Sequence, residues 1–393
     1  MEKTKRILAL LAAITVITGL LSALTACQKE DTVEADPEYL QKVSQYPFWT
    51  NTAKTSIPEY QTYHHVHDFL DSCEIKDGNA VSPDGKIRKV LFIGFDGMRA
   101  DALPYVLDTA NNAKTGVSGI AELQKTGGVY LAYCGGETGN DTEQTTSTSA
   151  SWTSHFTGVW GKEHGIKTND DSKNMQYKTF MLEYAEKGLN TAVAFDWDQY
   201  FDVNLKEEVK YVMDNNLSMQ ICDTDRVKKD KLKDTYAETL ELYNFVAPET
   251  PSASAPYDTG MRDYILDRID AGDDIICGIF HNIDTAGHNF GFGASTEYTG
   301  AVINCDLYAY SVLQAVKERE QKNNEEWLVV FANDHGGIGQ GHGEQSLEER
   351  TTWIATNIPF DEKYYSNEYD GQKLSHEPQA IQRDAQASGA VLR

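Results

Sequence analysis

Cysteine and long apolar runs are both scarce in this chain. Its 393 residues include six cysteines, five of them after residue 27, and none stands in a Cys-x-x-Cys pair. This count is too low for a fold held together by disulfides, and the odd number after residue 27 leaves at least one cysteine unpaired. Only the N-terminus carries an apolar run long enough to matter for a membrane, which excludes a multi-span membrane protein. With 40% hydrophobic and 24% charged residues, the composition also excludes a disordered or collagen-like chain.

Basic residues are outnumbered by acidic ones. The chain has 35 Lys and Arg residues against 60 Asp and Glu residues, so its net charge is −25. Removing residues 1–26 would remove three basic groups and one acidic group, which brings the charge to −27. A surface this acidic repels nucleic-acid polymers and anionic lipid faces, so we expect neither as a partner. A small anionic substrate is still compatible with it, because bound metal ions would dominate the local field.

The N-terminal segment has the organisation of a secretory signal. Residues 1–6 contain three basic side chains, residues 7–24 form an apolar run, and small residues lead to Cys27. The ending Leu-Thr-Ala-Cys resembles a bacterial lipobox, and that resemblance implies cleavage after residue 26 and lipidation of Cys27. Residues 1–26 are therefore predicted to be a lipoprotein signal peptide; the alternative is an uncleaved N-terminal anchor helix. Both interpretations place the rest of the chain outside the cytoplasm, and the first anchors it to the bacterial membrane by lipid.

The rest of the chain divides into an extension and a globular body. Residues 27–85 begin with polar sequence that contains several prolines, and they are predicted to be a tether and N-terminal extension. Residues 86–393 are predicted to form one domain. Within it, residues 200–256 contain a charged run and a loop of small residues. Two interpretations of this region stay open: an insertion or cap over the sheet, or ordinary peripheral helices.

Buried strands alternate with helices in the globular body. Residues 89–95 form a continuous apolar run, typical of a strand that is buried on both faces. Further strands are predicted at 191–195, 275–280 and 327–332, and helices at 100–110, 180–187, 257–269 and 298–320. This alternation predicts an α/β fold with a mostly parallel central sheet and helices on both faces. Such sheets bind ligands at the carboxyl ends of their strands.

Metal-binding side chains follow three of these strands. An aspartate comes directly after the first, an Asp-x-x-x-His pair after the second, and an Asp-His pair with a further histidine after the third. The six residues are Asp96, Asp284, His288, Asp334, His335 and His342. Oxygen and nitrogen donors without sulfur favour zinc, with manganese or another divalent ion as the alternative. Each motif alone is a weak signal, but six ligands are too many for one tetrahedral ion and suit two.

A run of hydroxyl side chains supplies candidates for a nucleophile. Residues 145–151 are almost all Thr or Ser and lead into a short predicted helix that ends at Gly158. A hydroxyl at a helix N-terminus faces backbone N–H groups and the positive end of the helix dipole, and a bound metal would ionise it near neutral pH. The alternative is that Ser147 or Thr148 only caps the helix, which is the usual role of such residues.

Four segments resemble one family of metal-dependent hydrolases. They are VLFIGFDGMRADAL at 90–103, TSASWTSHFTGVWGKEHGI at 148–166, DTAGH at 284–288 and DHG at 334–336. As a set they resemble the type I phosphodiesterase/nucleotide pyrophosphatase family of the alkaline phosphatase superfamily, over about residues 88–355. The resemblance implies an alkaline-phosphatase-like three-layer sandwich and a catalytic domain at 86–393.

The resemblance also implies roles for individual residues. Counting back from Thr157-Gly158 places Thr148 at the position of the nucleophile, with Ser147 and Ser149 as alternatives. One zinc site would consist of Asp284, His288 and His342, and the other of Asp96, Asp334 and His335, with Thr148 bridging towards the second. The implied reaction has two steps, in which Thr148 attacks phosphorus to form a phospho-threonine and water then hydrolyses it.

Two further residues are predicted to contact the substrate. Family phosphodiesterases often carry an asparagine shortly after the nucleophile as a hydrogen-bond donor to phosphate, and Ser151 stands at that position here. Trp152 is expected to shape the pocket instead. Ser151 and Trp152 are therefore the predicted substrate-binding residues.

Together these features predict an extracytoplasmic, lipid-anchored enzyme with two zinc ions. Its substrates are expected to be small phosphate esters, above all phosphodiesters or nucleotide pyrophosphates. A phosphomonoesterase or phosphonate hydrolase of the same superfamily is the alternative within this class. A sulfatase is disfavoured, because residues 145–157 lack the Pro and Arg of the formylglycine motif. The alternative of another class is a non-catalytic solute-binding lipoprotein.

Overall fold

A computed structural model describes residues 57–107, 116–171, 175–197, 199–223, 256–293 and 295–364. The predicted signal peptide, the lipidation site Cys27 and the extension up to residue 56 lie outside the described residues. No helix within the described ranges is both long enough and apolar enough to cross a membrane.

Ten strands of the described residues form one sheet. In chain order they are β1 (Ile57–Pro58), β2 (Glu74–Lys76), β3 (Asn79–Val81), β4 (Ile87–Phe95), β5 (Gly128–Tyr133), β6 (Thr191–Phe195), β7 (Met219–Asp223), β8 (Ile275–Phe280), β9 (Glu325–Ala332) and β10 (Thr351–Thr356). The order across the sheet is β1-β5-β10-β9-β4-β8-β6-β7, and the β2–β3 hairpin pairs with the start of β4. The strands from β9 to β7 are parallel, whereas β10 runs antiparallel to both of its neighbours. The sheet is therefore mixed but mostly parallel.

Helices cover both faces of this sheet. They are α1 (Gln61–Leu70), α2 (Pro104–Leu107), α3 (Gly119–Thr126), α4 (Thr148–Thr157), α5 (Gly161–His164), α6 (Phe180–Glu186), α7 (Lys206–Asn215), α8 (Pro256–Ala271), α9 (Asn282–Phe290), α10 (Thr296–Lys322) and α11 (Leu347–Arg350). Side chains of β4 alternate between two hydrophobic cores. Leu91 and Ile93 pack with residues of α3, α8 and α10, whereas Val90 and Phe92 pack with residues of α1, α4 and α6. A strand between two cores is apolar on both faces, and the predicted α/β fold with helices on both faces is confirmed.

The long predicted elements are all present. The strands β4, β6, β8 and β9 and the helices α6, α8 and α10 match the predicted ranges to within two residues at each end. The helix predicted at 100–110 is not continuous, and its last three residues lie outside the described residues. Within the described residues it consists of a 3-10 turn at Ala100–Ala102 followed by α2.

The N-terminal boundary of the body differs from the prediction. Strand β1 pairs in parallel with the end of β5, through Ile57 with Ala132 and Pro58 with Tyr133. Nine of the ten residues of α1 are buried. The body therefore begins no later than Ile57 rather than at residue 86, because α1 supplies part of one hydrophobic core.

Residues 200–223 form a helix that packs on one face of the sheet and a strand at the edge of the sheet. A single π-helical turn (Tyr200–Asn204) leads into α7, and β7 then pairs in parallel with β6 over five residues. The described part of the region 200–256 is therefore an ordinary helix and an edge strand, and it does not form a cap. Residues 224–255 lie outside the described residues.

Candidate active site

Three neighbouring parallel strands bring the candidate residues to one edge of the sheet. β4 lies between β8 and β9, and the three run in the same direction, so their carboxyl ends meet. Asp96 directly follows β4, Asp284 and His288 lie on α9 just after β8, and Asp334 and His335 follow β9. The six predicted metal ligands therefore converge because the topology places these strand ends side by side.

Gly97 allows these segments to approach each other. Its φ is 72°, in the left-handed region, and a β-carbon there would lie 2.8 Å from Cα and Cβ of Asp284. The Gly97 N–H donates a hydrogen bond of 3.0 Å to Oδ1 of Asp334. Only glycine adopts this conformation without strain and leaves room for the neighbouring aspartate. The size of the residue at position 97 therefore sets how closely the carboxylates of Asp284 and Asp334 approach this segment.

Asp284, His288 and His342 form the first cluster. Nε2 of His288 lies 3.3 Å from Oδ2 of Asp284 and 3.2 Å from Nε2 of His342. Nε2 of His342 lies 3.6 Å from Oδ1 of Asp284. The His288 side chain is 44% exposed, whereas the other two are less than 10% exposed. This cluster therefore opens to solvent on the His288 side.

Asp96, Asp334 and His335 form the second cluster. Nε2 of His335 lies 3.3 Å from Oδ2 of Asp334 and 3.6 Å from Oδ1 of Asp96. All three side chains are fully buried. Oγ1 of Thr148, the first residue of α4, lies 3.4 Å from the same His335 nitrogen. The predicted nucleophile therefore stands beside the second cluster.

The spacing within both clusters fits a tetrahedral ion. Zinc bonds to nitrogen and oxygen of about 2.0–2.1 Å place neighbouring ligand atoms about 3.3–3.4 Å apart. The separations in the two clusters run from 3.2 to 3.6 Å. Most of these distances are longer than a normal hydrogen bond between the same groups. They are close to the distance expected between two neighbouring ligand atoms of a tetrahedral zinc ion.

The histidines are held in the form that binds metal. Nδ1 of each faces a backbone carbonyl: His288 faces Gln340 at 2.9 Å, His335 faces Gly336 at 2.7 Å, and His342 faces Thr146 at 2.9 Å. A carbonyl accepts only, so the proton sits on Nδ1 and the lone pair on Nε2. In all three the lone pair therefore points into the clusters, as a metal ligand requires.

Three carboxylate oxygens in the clusters lack a hydrogen-bond partner among the described residues. They are Oδ1 of Asp96, Oδ1 of Asp284 and Oδ2 of Asp334, all buried. A buried carboxylate oxygen without a partner is costly, and a bound cation removes that cost. The donor set and its unsatisfied oxygens therefore fit two zinc ions.

The electrostatics of the site also favour cations. Burial raises the pKa of the Asp96 carboxyl well above its usual value, and the charge of Asp334 adds to the effect. Burial raises the pKa of Asp334 to about 8, reinforced by the charge of Asp284. The interaction with Asp284 raises the pKa of His288 to about 9. The two aspartate shifts come mainly from burial, with repulsion between neighbouring carboxylates as a further cause, and a divalent cation would relieve both.

Thr148 is the hydroxyl of its run that reaches the clusters. Ser147 occupies the N-cap position of α4 without a side-chain capping bond, and its Oγ lies 2.5 Å from Oγ1 of Thr145. Oγ of Ser149 donates to Oδ1 of Asn204 at 2.8 Å. The helix ends at Gly158, whose φ is 74°. Of the three candidate nucleophiles, Thr148 is the one whose hydroxyl contacts a candidate metal ligand among the described residues.

Ser151 and Trp152 lie beneath the site and do not line it. Both are fully buried, so neither presents surface to a bound substrate. Nε1 of Trp152 donates to Oδ2 of Asp96 at 3.2 Å, and its ring packs against Phe156. The structure therefore gives Trp152 a contact with a candidate metal ligand in place of the predicted contact with substrate.

Two residues near the clusters escaped the sequence analysis. Asn169 lies in the loop after α5, and its Oδ1 accepts the N–H of Ser149 at 2.9 Å. The side-chain amide of Asn169 therefore lies at the N-terminus of α4. Family phosphodiesterases often have a phosphate-binding asparagine at the position of Ser151, close to this helix end. His281, directly after β8, forms a third group of ligand-type atoms with Asp96 and Asp284. Its position at a strand end is the same signal that identified the other ligands.

Arg99 has a structural role in this site. Its guanidinium binds both oxygens of Asp101, at 2.9 and 2.6 Å, and the carbonyl of Gly337 at 3.0 Å. The loop that carries His335 and His342 is thereby tied to the segment after β4. These bonds fix the guanidinium as a link between the two segments.

The arrangement as a whole is typical of two-metal hydrolases, which place a nucleophile beside paired carboxylate and imidazole clusters. The family model of type I phosphodiesterases/nucleotide pyrophosphatases matches residues 90–356, about two thirds of the chain. The chain belongs to this family, as its motifs predicted. No curated protein is significantly similar to it.

Solved structures show distant similarity. Phosphonoacetate hydrolase from Sinorhizobium meliloti 1021, in complex with phosphonoformate, is 16% identical with a TM-score of 0.43, covering 65% of this chain and 59% of that one. An inactive variant of murine ectonucleotide pyrophosphatase/phosphodiesterase 5, in complex with AMP, is 18% identical with a TM-score of 0.38, covering 64% and 57%. Alkaline phosphatase from the Antarctic bacterium TAB5 is 12% identical with a TM-score of 0.41, covering 69% and 93%. The chain matches less than two thirds of the length of the first two, so the family match alone carries the assignment.

Proposed function

We propose that the protein is a two-zinc hydrolase of phosphodiesters in which Thr148 is the nucleophile. The observation that carries this proposal is the position of the Thr148 hydroxyl, 3.4 Å from Nε2 of His335 at the edge of the second cluster. The family match supports phosphoester chemistry, and the spacing of the ligand atoms in the two clusters supports metal binding. A non-catalytic solute receptor would not need this convergence of ligands around a hydroxyl.

The six clustered side chains would hold the ions in two groups of three. Asp284, His288 and His342 would form one site, and Asp96, Asp334 and His335 the other, next to Thr148. When bound, the ions lower the pKa of a neighbouring hydroxyl and stabilise negative charge on the phosphate oxygens.

The chain's own groups account for the two chemical steps. Oγ1 of Thr148 attacks phosphorus and gives up its proton, the first alcohol leaves, and the result is a phospho-threonine that still carries the second ester group; water then attacks phosphorus, releases the phosphate monoester and restores the hydroxyl. The Asn169 amide is held by Ser149 through its oxygen, which leaves its N–H groups to donate to phosphate. The N-terminus of α4 adds backbone N–H groups and a positive dipole end.

The charges near the site favour a diester over a monoester. A monoester dianion carries one more negative charge on its terminal oxygens than a diester, and a cationic side chain would stabilise it. Two cationic side chains that lie near the site in sequence are engaged elsewhere in the described part of the chain. Arg99 binds Asp101, and Nζ of Lys167 binds the carbonyl of Asp141 at 2.8 Å. We therefore expect diesters to be the better substrates.

We propose that the enzyme works outside the cytoplasm, anchored by lipid at Cys27. The support is the order of a basic start, an apolar run and Leu-Thr-Ala-Cys at the N-terminus. Labelling with a radioactive fatty acid tests this: wild type is expected to be labelled, and Cys27→Ala is not. Equal labelling of both would contradict the anchor.

The nucleophile is tested by replacing Thr148 with alanine. Thr148→Ala is expected to keep its zinc and to lose diester hydrolysis by about 10³-fold or more, because the covalent step has no oxygen to form it. Thr145→Ala is the matched control, because it removes a hydroxyl from the same run. The hydroxyl of Thr145 donates to the Lys167 carbonyl and does not contact the clusters. Wild type that is acid-quenched during turnover should carry a phosphoryl group, still esterified to the second alcohol, on the peptide that contains Thr148. Full activity of Thr148→Ala would refute the assignment.

A further inference from the structure

His281 lies at the junction of the two clusters. It is the residue between β8 and α9, and its Nε2 lies 3.5 Å from Oδ2 of Asp284. With Asp96 and Asp284 it forms a compact group of ligand-type atoms. Its ring packs edge-on against Phe195, with centroids 5.6 Å apart, and its side chain is 19% exposed. No role has so far been given to this residue.

The environment of His281 differs from that of the three candidate zinc-binding histidines. Each of those three has a backbone carbonyl at Nδ1, which fixes the lone pair on Nε2. No carbonyl contacts Nδ1 of His281 among the residues that the structure describes, and its Nε2 faces a carboxylate oxygen. A proton on Nε2 is favoured there, because a carboxylate accepts and does not donate. His281 is thus arranged as a donor to Asp284 and not as a metal ligand.

The backbone around His281 is fixed by a buried aspartate. Asp258 on α8 is fully buried and accepts the N–H of His281 at 3.0 Å and of Asn282 at 3.2 Å. Sγ of Cys305 donates to the same carboxylate at 3.0 Å. A carboxylate at the start of α9 also suits the helix dipole. The imidazole therefore projects from a rigid turn directly before the helix that carries Asp284 and His288.

We propose that His281 is a positioning residue for the zinc site of Asp284, His288 and His342. It donates from Nε2 to Oδ2 of Asp284 and so leaves Oδ1, the oxygen without a hydrogen-bond partner in the described structure, directed at the ion. Hydrogen bonds to a ligating carboxylate orient it and tune the affinity of the site. This inference rests on the proposed two-zinc centre and concerns one of its two sites.

The test is a chelator titration of zinc from the full chain in detergent. Wild type should release two zinc ions in separable phases, and Asp284→Ala and Asp334→Ala identify which phase belongs to which site. His281→Ala should weaken the Asp284 phase by about 10–100-fold and leave the Asp334 phase unchanged. His281→Gln, which keeps an N–H donor, should recover most of the loss. His65→Ala is the control for removal of a buried histidine, since His65 packs on Phe360 away from the site.

The outcomes separate this inference from the proposed function. If wild type binds no zinc, the two-zinc centre and the inference both fail. If wild type binds two ions and His281→Ala leaves both phases unchanged, only the inference fails. Equal weakening of both phases, or His281→Gln behaving like His281→Ala, would show a general structural role and overturn it. A third ion that His281→Ala removes would make His281 a ligand, which also contradicts the proposal.

Discussion

Replacing Gly97 with alanine should damage the first cluster from a position outside it. The new β-carbon would lie 2.8 Å from Cα and Cβ of Asp284, and ordinary contact begins near 3.4 Å. The backbone of α9 must therefore yield by about 0.6 Å, roughly three times the ±0.2 Å tolerance of a metal-ligand distance. The positive φ of 72° adds about 1–2 kcal/mol of strain for a residue with a β-carbon. Both effects act on the segment that carries Asp284.

The expected result of Gly97→Ala is weaker zinc binding and slower hydrolysis. A displacement of this size costs up to about 10²-fold in rate when it moves a catalytic centre. Together with overpacking, we expect the free energy of unfolding to fall by about 2–5 kcal/mol. Zinc content by elemental analysis, turnover of a diester and urea unfolding in chelator measure the three quantities.

Gly85→Ala is the matched control for this variant. Gly85 has a similar φ of 86°, and nothing lies within 4 Å of the position of its β-carbon. The free energy of unfolding of Gly85→Ala should fall by only about 1–2 kcal/mol, which is the backbone strain of any residue with a β-carbon in this region. Its zinc content and turnover should not change. If Gly97→Ala behaves like Gly85→Ala in all three measurements, the account of how Gly97 sets the spacing of the carboxylates is wrong.

Three further changes probe the site and the core. Asp334→Ala should reduce zinc from two ions per chain to one by elemental analysis, and two retained ions would refute its role as a ligand. Trp152→Phe removes the hydrogen bond to Asp96 but keeps an aromatic ring, so kcat/KM should fall by about 10-fold; an unchanged value would mean that this bond does not orient Asp96. Burial raises the pKa of Glu208 from 4.5 to about 7, so the fold favours its protonated form and loses about 3 kcal/mol of stability as pH rises from about 4.5 to 7. Urea unfolding across this range should show a shallower decline in Glu208→Gln, and an identical decline would contradict the shift.

The central strands were predictable because burial on both faces leaves a continuous apolar run. β4 lies between two hydrophobic cores, and so do β8 and β9. The strands at the margin of the sheet have no such signature. β1 has two residues and β7 lies at an edge, so their pairing depends on neighbours that a local pattern does not contain. For the same reason the sequence did not indicate that β1 and α1 pack into the body, and it left two interpretations of residues 200–256 open.

The grouping of the candidate ligands was predictable because all six follow the ends of buried strands along the chain. Asp96 and Asp334 follow strands that pair directly, so their meeting required only the order of the sheet. Asn169 was missed because its contact with Ser149 joins a loop to the start of α4, 20 residues away. The contact of Trp152 with Asp96 was not predicted, because every residue of α4 is buried and the sequence does not show which neighbour each of them meets. The catalytic roles of Thr148 and the clusters are predictions that solution experiments must test.

The measurement that tests the central claim most directly is hydrolysis by the zinc-loaded protein of four chromogenic substrates side by side. They are bis(p-nitrophenyl) phosphate, p-nitrophenyl thymidine monophosphate, p-nitrophenyl phosphate and p-nitrophenyl sulfate. The account predicts that the two diesters are hydrolysed fastest, that a chelator abolishes the activity, and that added zinc restores it. Turnover that a chelator leaves intact would contradict the two-zinc centre, and faster hydrolysis of the monoester or sulfate would contradict the proposed substrate class.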